Sequence, residues 1–140
     1  MFLAEVKRNL VAIISLCVAL SGLAYNTWRN ETTESHRNVR QASFVMLEQL
    51  GQLQQLVYQR YYAHQHDDIN RITCWGKVLL VRDMGPLVSN DVAAKSKALF
   101  DIWSTNLDDL DEGNDDAEKA ISGSIASVRE QLLGELRKLK

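Results

Sequence analysis

The stretch ISGSIASVREQLLGELRKLK, residues 121–140, has the most regular hydrophobic pattern in the chain. Its apolar residues recur every three or four positions, which places them on one face of an α-helix. They are Ile121, Ile125, Val128, Leu132, Leu136 and Leu139. Since such a face needs a partner surface to exclude water, the pattern predicts a helix packed against other helices, with Asn114 as its N-cap.

Three earlier segments show the same spacing, and each is bounded by residues that begin or end helices. The first reaches about His64 and carries Val39, Phe44, Met46, Leu47, Leu50, Leu53, Leu56 and Val57. The third begins at Ser89 or Asn90 and carries Val92, Leu99, Ile102, Trp103, Leu107 and Leu110. The second begins after Asp67 or Asp68 and is expected to end at Gly85-Pro86, with inward residues Ile72, Trp75, Leu79 and Leu80. Four such helices joined by short loops predict an all-α, antiparallel up-down four-helix bundle.

An uncharged run, LVAIISLCVALSGLAY, occupies residues 10–25 ahead of these helices. Residues 9–28 supply the roughly 20 apolar positions that a transmembrane helix needs. Within them, the predicted membrane-anchor residues are Leu10, Ile14, Leu20, Tyr25 and Trp28, the last two as interfacial aromatics. A cleaved signal peptide is the alternative, because Gly22 and Ala24 have the spacing of a cleavage site.

The chain therefore divides into a tail (residues 1–8), a transmembrane helix (9–28), a polar stalk (29–38) and the four-helix bundle (39–140). Such a short tail favours export of the bulk of the chain across the membrane. In this topology the basic end of the last helix, residues 137–140, returns toward the bilayer, where anionic headgroups attract it. Complementing the dipole of its own helix explains the same basic residues.

The net charge, the cysteines and the absence of catalytic motifs argue against nucleic-acid binding, a disulfide or zinc framework, and an enzyme. The formal net charge of −2 gives no basic footprint for nucleic acid. The two cysteines, Cys17 and Cys74, form no disulfide framework and no zinc motif. Because no nucleophile context and no phosphate-binding glycine loop occurs, we expect neither catalytic residues nor an enzyme, and no cofactor is predicted beyond a divalent metal.

The segments HQHDD (residues 64–68) and DDLDEGNDD (residues 108–116) combine imidazoles and carboxylates. An up-down topology brings these two loops together at the end of the bundle farthest from the membrane. A divalent metal could then bind a shared set of candidate ligands, His64, His66, Asp67, Asp111 and Asp115. The competing interpretation is structural, since carboxylates at helix N-termini stabilise the helix dipole.

A tyrosine cluster lies on the same end of the first helix, at Tyr58, Tyr61 and Tyr62. Tyrosine is enriched in protein interfaces, so this cluster is the predicted partner-binding surface. Its alternative role is internal packing against Trp103 or Ile72.

The layout of anchor and helical domain resembles small single-pass inner-membrane proteins of bacteria with a helical periplasmic domain. The run YNTWRNETTESHRNVRQASFVMLEQLGQLQQLV, residues 25–57, is similar to stretches of uncharacterised proteobacterial proteins of this kind. The resemblance covers about a quarter of the chain, names no family and carries no active residues.

Together these features predict a non-enzymatic scaffold or accessory subunit of a membrane complex, with the lipid bilayer and a protein as its partners. We expect it in the bacterial inner membrane with a periplasmic bundle, or secreted if the first segment is cleaved. The alternative function is a ligand- or metal-binding bundle that uses the membrane-distal loops.

Overall fold

The computed structural model of the chain describes residues 2–64 and 67–139, with side chains from residue 9 onward. Over this range the protein is all-helical and contains no strand. Its helices are α1 (Phe2–Ala63), α2 (Asp68–Val88), α3 (Asn90–Asp111) and α4 (Asp115–Lys138). The chain divides into two compact units, Met1–Arg37 and Asn38–Lys140.

Helices α2, α3 and α4 begin at the predicted capping residues. The Asp67 side chain accepts a hydrogen bond from the Asn70 backbone N–H (2.6 Å), which begins α2. Ser89 caps α3 in the same way, accepting from the Val92 N–H at 3.1 Å. Asn114 accepts from two N–H groups of the first turn of α4. Each cap satisfies backbone donors that have no partner within the helix, and so fixes where the helix begins.

The predicted end of α2 at Gly85-Pro86 is wrong, because the helix continues through Pro86 to Val88. A proline this close to a helix end removes a single backbone donor, and the chain turns three residues later at Ser89. Gly85 is buried, and a Cβ added to it would lie 2.9 Å from the Ala93 Cα. Gly85 therefore allows α2 to pack closely against α3, whereas the C-cap of α2 is Ser89.

The second unit has one hydrophobic core, to which all four helices contribute. In α4, Ile121, Ile125, Val128 and Leu132 are fully buried, as the opening pattern predicts. The other buried apolar residues of this core are Met46, Leu50, Leu53, Val57, Cys74, Val78, Val81, Val92, Leu99, Trp103, Leu107, Leu110 and Ala117. The expectation of a helical bundle is confirmed.

The inward face predicted for α2 is mostly wrong. Ile72 is 71 % exposed, and Leu79 and Leu80 are also exposed. Cys74 and Val78 are buried in their place. Trp75 is half-buried at the edge of this face, as its rings lie 5.9 Å and 6.4 Å from those of Phe100 and Trp103 on α3. Helix α2 carries apolar residues on two sides. The side that contains Cys74 and Val78 is the buried one, and Trp75 contacts α3 beside it.

Phe44 of α1 is exposed as well, contrary to the prediction that it widens the core face. It precedes the buried Met46 by two residues, which at about 100° per residue places it on the far side of the helix. The seam around Met46 supplies the fully buried residues of α1, and Leu47 and Leu56 pack against the core beside it.

In the first unit, the apolar side chains of residues 10–25 are exposed rather than packed against protein. Among the described residues, one helix, Asn9–Ala63, is long and apolar enough to cross a membrane. This property rests on length and composition, which soluble core helices and signal sequences can share. The Tyr25 and Trp28 rings lie 6.3 Å apart, and the Thr32 hydroxyl donates to the Trp28 carbonyl.

Candidate functional site

The helix ends at one side of the second unit meet in a cluster of charged and phenolic side chains. We call it the end cluster and define it as Arg60, Tyr61, Arg71, Asp108, Asp111 and Asp115. These residues come from the last turns of α1 and α3 and the first turns of α2 and α4. The hydrogen bonds from Arg71 to Asp108 and Asp111 therefore bring the first turn of α2 close to the last turn of α3.

Arg60 is the centre of the end cluster and is almost completely buried, with 1 % of its side chain exposed. Its Nε donates to Asp111 Oδ1 at 2.7 Å, and its Nη2 donates to Asp111 Oδ2 at 2.5 Å. This forked geometry is the strongest arrangement for a guanidinium and a carboxylate. The Arg60 Nη1 is buried without a hydrogen-bond partner in the described part of the chain. Asp111 is consequently the principal anionic partner of this buried cation.

Arg71 joins α2 to the same carboxylate and to a second one. Its Nη2 donates to Asp108 Oδ1 at 2.7 Å, and its Nη1 lies 3.4 Å from Asp111 Oδ2. The hydrogen bond to Asp108 raises the pKa of the Arg71 guanidinium, so the group stays charged. Asp111 therefore lies between two guanidinium groups, which ties the ends of α1, α2 and α3 together.

Tyr61 connects α1 to α4 by donating a hydrogen bond from its hydroxyl to Asp115. This hydrogen bond is the main cause, and burial the second cause, that raises the pKa of Tyr61 to about 12. Tyr61 also meets the Tyr62 ring edge-on, with centroids 4.7 Å apart, and Tyr58 lies 5.8 Å from Tyr62. Tyr58 and Tyr62 are exposed. Of the predicted partner-binding tyrosines, Tyr61 is thus engaged within the chain, and the other two form an outer aromatic surface.

The candidate metal ligands have structural partners wherever they are described. Asp67 caps α2, Asp111 pairs with arginines, and Asp115 accepts from Tyr61. His64 is exposed in a left-handed conformation (φ 51°) just after α1, and His66 lies outside the described residues. Within the described residues, no three His, Cys, Asp or Glu side chains are grouped as metal ligands. The metal site stays a prediction.

Two residues that matter most here, Arg60 and Arg71, were not predicted from the sequence. Arg60 follows Val57 by three positions and so continues the buried seam of α1. A charged residue in such a position signals a buried ion pair, and the acidic loop near residue 111 supplies its carboxylate. Arg71 has no comparable signal, because its role depends on the rotation of α2.

The thiol of Cys74 lies close to the end cluster and is unreactive. It is buried in the core, and its Sγ is 3.4 Å from Asn70 Oδ1. Burial raises the pKa of the Cys74 thiol to about 11. Because the thiolate is the reactive form, Cys74 is protonated and unreactive at neutral pH.

Comparison with known proteins gives no relative. No protein-family model, no curated protein and no solved structure matches this chain.

Proposed function

We propose that the chain is a single-pass, membrane-anchored helical interaction protein of the bacterial envelope, without enzymatic activity. Residues 9–28 lie in the bilayer, and the second unit is periplasmic. The observation that supports this most is the exposed apolar surface of the first unit, where Val11 and Val18 are 73 % and 67 % exposed. Water is an unfavourable environment for so much contiguous apolar surface, whereas hydrocarbon is not.

The second unit is an antiparallel up-down bundle in this proposal. At one end, the end cluster joins the C-terminal turns of α1 and α3 to the N-terminal turns of α2 and α4. At the other end, Arg40 Nη2 of α1 donates to the Leu139 carbonyl just beyond α4, at 2.7 Å. Gln54 of α1 also donates to Ser122 of α4 at 2.8 Å, which supports opposite directions for these two helices.

An interaction role fits what the bundle offers to other molecules. Its core consists of buried, mainly apolar side chains, and its end cluster is engaged in internal ion pairs. The outer surface of α1 remains available at Tyr58 and Tyr62, which are 47 % and 68 % exposed. Tyrosines of this kind combine apolar area with a hydroxyl, the composition that protein interfaces favour. A protein partner and the bilayer are the partners proposed for this chain.

Site-specific photo-crosslinking in native membranes tests the proposal. A photoactivatable residue replaces Tyr62, and a matched control carries it at Ala126, which is exposed on α4. We expect a reproducible protein neighbour from position 62 and a much weaker signal from position 126. Capture of lipid alone, or of the same neighbours from both positions, would contradict an interaction role for the tyrosine surface.

A further inference from the structure

Three arginines of the second unit lie close together, and in the described part of the chain no carboxylate pairs with them. The other arginines of this unit each pair with an aspartate, and they are Arg60, Arg71 and Arg82. The three exceptions are Arg40 of α1 and Arg129 and Arg137 of α4. Arg40 and Arg137 are exposed, and Arg129 is half-buried. Their charges are therefore available to a molecule outside the chain.

Each of these arginines lies one helical turn from an exposed apolar side chain. On α4, Leu133 follows Arg129 and precedes Arg137 by four residues, so these side chains form one row along the helix. On α1, Phe44 follows Arg40 by four residues and lies on the same side. Phe44 is 61 % exposed, and Leu133 is 39 % exposed. We call this surface the arginine patch and define it as Arg40, Phe44, Arg129, Leu133 and Arg137.

Two hydrogen bonds join α1 to α4 on either side of the arginine patch. Arg40 Nη2 donates to the Leu139 carbonyl at 2.7 Å. Gln54 donates to the Ser122 hydroxyl at 2.8 Å, and Arg129 lies about two helical turns beyond Ser122 on the same side of α4. The row on α1 and the row on α4 are therefore adjacent, and together they form one surface.

The helix dipole of α4 accounts for only part of this positive charge. A cation stabilises a helix when it lies in the last turn, as Arg137 does. Arg129 lies about two turns before that end, and Arg40 belongs to a different helix. Glu48 and Glu130 lie beside the arginine patch on the side away from Arg40 and Arg137, so the positive charge is concentrated where α4 ends.

The chemistry of the arginine patch fits the phosphate-bearing headgroup of a lipid. A guanidinium group binds phosphate oxygens through two parallel N–H donors. Protein surfaces that rest on anionic membranes combine such cations with Phe and Leu side chains, which enter the boundary between headgroups and acyl chains. The arginine patch has both components, whereas an acidic protein segment would use only its arginines.

The position of the arginine patch in the chain favours the bilayer as its occupant. Arg40 follows Trp28, the predicted interfacial residue at the end of the anchor, and the segment between them spans about 18 Å as a helix. An anchored chain therefore keeps the patch near the headgroups at a high effective concentration. Each arginine near an anionic surface favours association roughly fivefold, so three arginines suffice for a tethered domain.

We propose that the arginine patch binds anionic phospholipid headgroups of the membrane in which the chain is anchored. The proposal rests on the proposed function, because the anchor supplies the proximity that a small patch needs. It adds a lipid class to the partners of this chain and assigns that lipid to a surface of the second unit, separate from Tyr58 and Tyr62.

Photo-crosslinking of the full-length chain in defined vesicles tests this contact. Benzoylphenylalanine replaces Phe44, and a matched control carries it at Leu87 of α2, which is 63 % exposed and lies outside the arginine patch. The vesicles contain phosphatidylcholine mixed with phosphatidylglycerol, and mass spectrometry identifies the lipid in each adduct.

Two double variants with the crosslinker at position 44 separate the arginine patch from net charge. Arg129→Gln/Arg137→Gln removes two charges of the patch. Lys95→Gln/Lys119→Gln removes two exposed lysines elsewhere in the second unit and changes the net charge equally.

We expect position 44 to capture phosphatidylglycerol several-fold above its share of the lipid, and position 87 to show no such enrichment. The arginine double variant should remove most of the enrichment, and the lysine double variant should preserve it. Equal enrichment at both positions, or enrichment that survives the loss of the arginines, would overturn the proposal. An adduct of twice the chain mass from position 44 would also overturn it, because a second copy would then occupy the patch.

Alkaline carbonate treatment of the same vesicles separates this proposal from the membrane anchor. A chain released into solution refutes the anchor. A retained chain without enrichment of phosphatidylglycerol at position 44 refutes the arginine patch alone.

Discussion

Removing the charge of Asp111 should destabilise the bundle far more than removing the charge of a neighbouring carboxylate. Arg60 is 1 % exposed, and both of its described hydrogen bonds end on Asp111. In Asp111→Asn the guanidinium stays buried without its counter-charge, a change that costs about 3–5 kcal/mol in comparable pairs. We expect about 3 kcal/mol, because Asp111 is 18 % exposed and water can partly solvate the site.

Three further variants make this expectation specific. Asp108→Asn breaks the exposed pair with Arg71, in which the side chains are 81 % and 42 % exposed, and should cost about 1 kcal/mol or less. Arg60→Met should cost less than Asp111→Asn, because Asp111 keeps Arg71 as a partner. The double variant Arg60→Met/Asp111→Asn should be more stable than Asp111→Asn alone, since no buried charge remains.

The assay is urea unfolding of the full chain in mild detergent, followed by far-UV circular dichroism and tryptophan fluorescence. A loss of about 3 kcal/mol lowers the unfolding midpoint by roughly 1–3 M urea for a domain of this size. Equal small losses for Asp111→Asn and Asp108→Asn would refute the reasoning, because they would mean that Arg60 is solvated in solution. A double variant less stable than both single variants would refute it as well.

Four further outcomes follow from the same geometry. Gly85→Ala should lower the free energy of unfolding by about 1–3 kcal/mol, because the added methyl group overpacks α2 against α3. Its control is Gly123→Ala, in which the added methyl group meets no neighbour. This control should raise the free energy of unfolding by up to about 1 kcal/mol in the same urea assay. Absorbance titration should show that the Tyr61 phenol ionises near pH 12, and this step should be absent in Tyr61→Phe and shifted to lower pH in Asp115→Asn. Because folding raises the pKa of Tyr61 from 10.0 to about 12, its hydrogen bond to Asp115 stabilises the folded chain fully below pH 10. This stabilisation is lost as the pH rises through 12. In a chain without the other cysteine, maleimide should label Cys74 only at the rate of unfolding, so rapid labelling of the folded chain would contradict its burial. Zinc or calcium should leave the melting temperature unchanged, because the described end-cluster carboxylates already have partners; a rise in the melting temperature would support the predicted metal site.

The first residues of α2, α3 and α4 were predictable because N-caps depend on local chemistry. Asp67, Ser89 and Asn114 each use a short side-chain oxygen to accept backbone hydrogen bonds, an interaction that needs only neighbouring residues. The seam of α4 was predictable for a similar reason, since its apolar residues occupy one face and its polar residues occupy the others.

The orientation of α2 was not predictable from its own residues. Ile72 and Cys74 lie on different sides of the helix, and either side is apolar enough to be buried. The choice depends on α3, whose Phe100 and Trp103 contact Trp75 and whose close approach requires the small Gly85. Gly85-Pro86 was misinterpreted for the same reason, because a glycine that allows helix packing has the same sequence signature as a glycine that ends a helix.

The end cluster was partly predictable. The up-down topology brought the two acidic loops together in the prediction, and Asp111 and Asp115 do lie among residues of α1 and α2. Asp111 pairs with Arg60 and Arg71, and Asp115 accepts from Tyr61, whereas the metal site stays a prediction. Charge alone identified the loops, but the identity of the partner depended on which side chains the turns of α1 present to them.

The central claim is that residues 10–25 remain attached and hold the chain in a membrane. The most direct measurement combines alkaline carbonate extraction of bacterial membranes with mass spectrometry of the recovered chain. We expect the chain in the membrane pellet, with the peptide that contains residues 10–25 still present. A soluble chain whose N-terminus lies just after Ala24 would contradict the anchor and identify the segment as a cleaved signal sequence.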